Sequence, residues 1–106
     1  MYRTLRPLLF RFDAERAHAL SLQAAAVVQR VAPSLVESRY DYEDERLKLR
    51  LWGETFPNPV GLAAGADKNA TLVPFWEAVG FGFVEVGSVT AQASDGNPKP
   101  RAFRLP

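Results

Sequence analysis

A chain of 106 residues, 47% hydrophobic and 24% charged, has the size and composition of one small globular domain. Its net charge of +1 gives no global reason to expect nucleic acid or an acidic partner. The absence of cysteine removes disulfide frameworks, thiolate zinc sites and thiol nucleophiles, and a single histidine removes a multi-histidine metal site within the chain.

No apolar run approaches the ~20 residues that span a bilayer. The chain also opens without a secretory signal pattern, so secretion is not expected. Charge is uneven: residues 1–35 carry Arg3, Arg6, Arg11, Arg16 and Arg30 against Asp13 and Glu15. Met1–Phe12 is short, basic and apolar, with Leu5, Leu8, Leu9, Phe10 and Phe12 among the arginines. Pro7 suits a first helical turn and would damage a helix interior. Asp13 has the chemistry of an N-cap, with Glu15 in the first turn favoured by the helix dipole. From Ala14 to about Val31 the pattern is helical: Ala17, Leu20, Ala24, Val27, Val28 and Val31 share one face, and Pro33 ends it. The expectation is a helical hairpin. Its apolar face either packs on its own domain or forms a greasy, arginine-rimmed surface for a membrane or an apolar ligand. His18 lies in this helix, where a lone histidine is more often structural than functional.

Glu37–Arg46 reads as a solvated acidic linker carrying Glu37, Asp41, Glu43, Asp44 and Glu45. Leu47–Leu51 alternates as a half-exposed strand, and Trp52–Phe56 turns and returns to make a hairpin. Pro57-Asn58-Pro59 then breaks the pairing.

Asn58–Asn69 reads Asn-Pro-Val-Gly-Leu-Ala-Ala-Gly-Ala-Asp-Lys-Asn. Val60–Ala64 is a short buried strand ending in small residues, which lets a flat ligand approach the backbone closely. Asp67 and Lys68 place charge at its C-terminal end, where α/β proteins hold their chemistry. A helix follows from about Thr71 to Val79, with Pro74 tolerated in its first turn and Gly80 as its stop. Gly82–Gly87 is a second strand, so the core is a parallel βαβ unit. Ser88 and Thr90 end that strand at the same edge as Ala64–Lys68. Two parallel strands cannot bury both faces and edges alone, so a larger α/β fold is expected. The final stretch, Ala91–Pro106, reads as a Pro-rich basic loop.

Three motifs fail. Ala66 stands where a phosphate loop needs its second glycine, and Gly80-Phe-Gly82 lacks the third glycine of a dinucleotide fingerprint. The basic tail has only Phe103 to stack a base, so nucleic-acid binding is not expected.

Asn58–Lys68, then Gly80-Phe-Gly-Phe-Val-Glu-Val-Gly-Ser-Val-Thr90, then Gly96-Asn-Pro-Lys-Pro-Arg-Ala-Phe-Arg-Leu-Pro106, together resemble the N-terminal part of the dihydroorotate dehydrogenase family. Asp13-Ala-Glu-Arg-Ala-His18 resembles the N-terminal extension of its quinone-dependent, membrane-associated class 2. The resemblance implies an α/β fold: a helical extension over residues 1–36, then over 37–106 the first βαβ of a (β/α)8 TIM barrel, incomplete in this chain. It also implies FMN as cofactor, oxidation of dihydroorotate to orotate in pyrimidine synthesis, and a membrane quinone as acceptor.

Carried over by position, Ala64, Gly65, Ala66, Asp67, Lys68 and Ser88 are expected to contact FMN, and Lys68 the substrate as well. His18 and Arg104 are expected to line the quinone tunnel. The catalytic base, a serine in this class, is not among these residues, so the chain alone is expected to be inactive. No metal is expected. The implied location is peripheral, on the cytoplasmic side of the cell membrane, through the N-terminal helices. Two alternatives stand beside this reading: an FMN barrel using a soluble acceptor, and a non-catalytic membrane- or partner-binding module.

Overall fold

A computed structural model of the chain describes residues 2–40 and 42–104. Asp41 of the expected linker, Met1, and Leu105 and Pro106 of the terminal loop lie outside the described residues, as do the side chains of Tyr2, Leu5, Leu8 and Leu9. The elements are α1 (Tyr2–Leu9), α2 (Ala14–Val31), α3 (Pro33–Tyr40), a 3-10 turn (Glu45–Leu47), β1 (Leu49–Leu51), β2 (Glu54–Phe56), β3 (Gly61–Leu62), α4 (Val73–Ala78) and β4 (Phe83–Val84). Two compact units result: residues 25–89, and residues 1–24 with 90–106.

In the unit of residues 25–89, β3 and β4 pair in parallel, Gly61 opposite Phe83 and Leu62 opposite Val84, with α4 between them in sequence. This is the expected βαβ unit. Its strands are shorter than the apolar runs that encode them, but the ladder continues past them: Gly82 N–H donates to Val60 O at 2.8 Å and Glu85 N–H to Leu62 O at 3.0 Å. Phe83 lies across Gly61, where an added Cβ would sit 2.1 Å from the ring. A larger residue at that point would have to displace the Phe83 ring. The antiparallel hairpin β1–β2 turns through Trp52 and Gly53, both at positive φ, as a two-residue hairpin demands. The rings of Phe56 and Phe83 meet edge to face at 5.8 Å, linking hairpin to parallel pair.

The core of this unit is Ala25, Val36, Leu72 and Ala78. α3 packs against α4. Here the structure departs from the sequence reading. Pro33 stops α2 and also opens α3, because its fixed φ and missing N–H suit a first helical position. Glu37–Tyr40 are thus helical rather than linker, and position 36/37 falls inside α3.

On α2 the inward residues are Leu22, Ala25, Ala26, Val28 and Gln29, with Ala25 buried and Val28 the member of the expected stripe among them. Much of the expected stripe is exposed: Leu20 at 52%, Val27 at 58% and Val31 at 74%. Two apolar faces compete on this alanine-rich helix, and the one with smaller side chains and Gln29 wins the core. Gln29 explains the choice: its Oε1 accepts the Phe75 N–H at 2.9 Å, satisfying an otherwise orphaned donor in the first turn of α4.

In the unit of residues 1–24 and 90–106, Asp13 caps α2 as expected, accepting from Glu15 N–H at 3.0 Å and Arg16 N–H at 3.1 Å. Pro7 lies inside α1, in its last turn. Among the described residues no single helix is long and apolar enough to cross a membrane, although α2 and α3, bent by 101°, pass that test of length and composition as a pair.

Candidate functional site

The turn Ala64–Lys68 follows β3 and is held from two sides. From one side Gly87 N–H donates to Lys68 O at 3.1 Å, so the end of β4 closes onto the turn and Ser88 follows directly. From the other side Asp67 fixes the turn to α4. Its carboxylate is 1% exposed and accepts from Thr71 N–H at 3.0 Å, Thr71 Oγ1 at 3.0 Å, Leu72 N–H at 2.7 Å and Trp76 Nε1 at 3.3 Å. α4 has no side-chain cap from its own N-cap residue, Leu72, and Asp67 supplies one from five residues upstream. Burial acts to raise the Asp67 pKa, but the four donors outweigh it and hold the carboxyl below its ordinary value.

With Asp67 turned inward, Lys68 is turned out. It is exposed, and among the described residues its ammonium joins no ion pair. Ala64 and Ser88 are also exposed, and Gly65 and Ala66 half-buried. Gly65 has φ +94°, and a Cβ built on it would meet nothing within 4 Å. The turn thus presents bare backbone to open space, flanked by the Lys68 ammonium and the Ser88 hydroxyl. That arrangement suits a flat, anionic or electron-accepting ligand lying on the backbone. The Asp67 carboxylate is not available to such a ligand, although its backbone is.

The structure therefore brings together Ala64, Gly65, Ala66, Lys68 and Ser88. Thr90 belongs to the other unit, and its hydroxyl donates to Gln92 O at 2.6 Å. An apolar cleft of about 390 Å³ lined by Tyr40, Tyr42, Pro59, Val60 and Phe81 sits where the chain enters β3, not where it leaves. Asn58 holds that entrance: its Nδ2 donates to Gly80 O at 2.9 Å and its Oδ1 accepts from Val60 N–H at 3.0 Å. Asn58 and Gln29 are structural residues that the sequence reading passed over. An asparagine at a strand entrance before proline was the visible signal for the first; a glutamine among alanines gave none.

His18 and Arg104 lie in the other unit. His18 is exposed on α2, with its carbonyl accepting from Ser21 Oγ at 2.7 Å. Arg104 is half-buried, donates from Nη1 to Phe12 O at 2.8 Å, and stacks with its guanidinium 4.7 Å from the Phe10 ring centre. Arg6 stacks on the same ring at 4.8 Å. No hydrogen bond joins His18 to Arg104 among the described residues. Close by in sequence, Glu15 is paired with Arg101, whose hydrogen bonds lower the carboxyl pKa against the effect of burial, and Lys99 adds to the lowering. No group of three metal-ligating side chains occurs among the described residues.

Residues 46–106 match the family described as Dihydroorotate dehydrogenase. Over its whole length the chain is 53% identical to a Dihydroorotate dehydrogenase (quinone) of Gloeobacter violaceus and 51% identical to one of Deinococcus deserti. It spans about 30% of the length of these curated relatives. In three dimensions 87% of the chain superposes on 23% of the crystal structure of DHODH in complex with ferulenol from Eimeria tenella, with a TM-score of 0.72 at 42% identity.

Proposed function

Since the chain belongs to the dihydroorotate dehydrogenase family, we propose that it is the N-terminal part of a quinone-dependent enzyme that oxidises dihydroorotate to orotate for pyrimidine synthesis. Residues 37–106 begin a (β/α)8 barrel, and residues 1–36 form the extension through which the enzyme meets the cytoplasmic face of the cell membrane and its quinone. The observation that carries this reading is the bare turn at Gly65 with Lys68 and Ser88 beside it, closed by the 3.1 Å bond from Gly87 to Lys68.

That turn fits FMN, because a Cβ at Gly65 would project into the space a ring system needs. FMN, when bound, supplies the chemistry of taking two electrons from the substrate and releasing them to an acceptor. Ala64, Gly65, Ala66 and the backbone of Asp67 form the wall on which it rests, and the Ser88 hydroxyl gives it a hydrogen-bonding partner. Lys68 holds the substrate carboxylate and opposes the negative charge that grows beside it, a fixed charge in place before the reaction begins. Asp67 acts only by holding the turn. No residue of this chain takes the substrate proton; that base belongs to a part of the barrel that these residues do not supply. At the other unit, His18 and Arg104 line the route of the quinone, Arg104 being held against Phe10 and Phe12.

The test uses the complete enzyme, this chain continued by the remaining barrel of a family member such as that of Gloeobacter violaceus. Lys68→Ala should slow dihydroorotate-dependent bleaching of the flavin by on the order of 10²–10³-fold and weaken orotate binding. Unchanged bleaching would remove Lys68 from the site. A complete enzyme that turns over with a soluble acceptor and ignores quinones would move the chain to another class of FMN barrel.

A further inference from the structure

Arg101 is the most fully engaged cation of the described chain. One edge of its guanidinium meets Glu15 Oε1, through Nε at 3.1 Å and Nη2 at 2.7 Å. The remaining nitrogen, Nη1, donates to the carbonyls of Asp95 and Asn97. Lys99 Nζ reaches the same Glu15 oxygen at 3.2 Å. Gly96 makes this possible: at φ +77° it bends the 95–97 turn around the guanidinium, and a Cβ there would lie 2.6 Å from Nη1. The turn is therefore wrapped on Arg101, and Arg101 is docked on the first turn of α2.

Three residues further on, Arg104 bonds Phe12 O and stacks on Phe10. Arg101 on Glu15 and Arg104 on Phe12 are two rungs in antiparallel order, three residues apart on each side. The first rung is an ion pair with side chains only 27–33% exposed; the second joins a cation to a carbonyl and a ring. Both rungs are charge-assisted, but only the first joins two opposite charges, which makes it the stronger of the two.

We propose that Glu15 and Arg101, with Gly96 beneath them, are positioning residues that set the Arg104 guanidinium against Phe10 and Phe12, and so govern quinone use without touching substrate or cofactor. This rests on the reading of Arg104 as a quinone-end residue. A Glu15→Gln carboxamide keeps the shape of the side chain and removes its charge. Arg101→Lys keeps the charge and removes the fork that spans Glu15 and the 95–97 carbonyls.

In the complete enzyme both variants should raise the KM for a short-chain ubiquinone by about 5- to 20-fold. The KM for dihydroorotate and the rate of flavin bleaching should stay at wild-type values, a split that general loss of fold would not give. Hydrogen exchange supplies a second readout that does not depend on quinone chemistry: amides of residues 101–104 and 10–13 should lose protection in both variants. Wild-type protection in Glu15→Gln would overturn the positioning role whatever the kinetics. Lost protection with an unchanged quinone KM would overturn the link to quinone use. A normal quinone KM in Arg104→Ala would instead overturn the quinone-end reading, leaving exchange to judge the positioning of Arg104 by Glu15 and Arg101.

Discussion

Asp67 and Lys68 are adjacent in sequence and opposite in role. The carboxylate lies inside, accepting four hydrogen bonds; the ammonium lies outside with no ionic partner among the described residues. A charge pair at a strand end reads as two site residues, yet a carboxylate that must satisfy two backbone N–H groups, a hydroxyl and an indole cannot also serve a ligand. Asp67→Ala should cost the complete enzyme about 2–3 kcal/mol, because donors buried around it lose their acceptor. The pH dependence follows from the sign of its shift. The folded-state pKa lies below the unfolded 3.8, so the unfolded chain takes up the proton first as pH falls. The stability Asp67 contributes is present in full above the unfolded pKa and is lost as pH drops through the folded one. Urea midpoints of wild type and Asp67→Asn, measured from about pH 6 to about pH 3, should draw closer together towards the acid end. Parallel curves would show that Asp67 is not the group responsible.

Among the elements, α4 depends most on its neighbours. With six residues it is far below the length at which a helix holds by itself. Its first turn is capped by Asp67 and by Gln29 of α2, its flank is covered by α3, and its exit carbonyl at Gly80 is bonded by Asn58. The return into β4 passes so close to Asn58 that a Cβ at Gly82 would lie 2.2 Å from the Asn58 carbonyl oxygen. That obstacle is backbone and cannot rotate away. Gly82→Ala should therefore destabilise the complete enzyme by more than about 2 kcal/mol, read as a lowered denaturation midpoint at unchanged m-value. An alanine variant of wild-type stability would mean that β4 does not enter along this path. β3, α4 and β4 were legible in the sequence because small apolar runs, Pro74 and Gly80 mark their ends. α3 was not, because Pro33 reads equally as the stop of one helix and the start of the next.

At the scale of the whole molecule, the parallel pair has two strands and each unit leaves large apolar side chains in solvent, among them Trp52 at 91%, Val89 at 91% and Phe103 at 75% exposed. A closed (β/α)8 barrel, proposed above for the complete protein, takes ~250 residues, and the chain spans about 30% of its relatives' length. These residues produced alone should bind a hydrophobic dye such as ANS, unfold without a sharp transition, and fail to bleach added FMN with dihydroorotate. The same residues continued by the rest of the barrel should show the opposite on all three measures. Cooperative unfolding of the isolated chain would show that its two units are self-sufficient.

Residue order alone determined that a small-residue strand ends in a pair of charges, that a second strand returns to it in parallel, and that the chain belongs to the dihydroorotate dehydrogenase family. Those properties are written locally, in glycine and proline positions and in the spacing of apolar residues. Tertiary structure alone decided which face of α2 is buried, which of two neighbouring charges faces out, and that Glu15 finds Arg101 across 86 residues of chain. Such choices depend on which donors and acceptors are left over once elements pack, and periodicity holds no record of that.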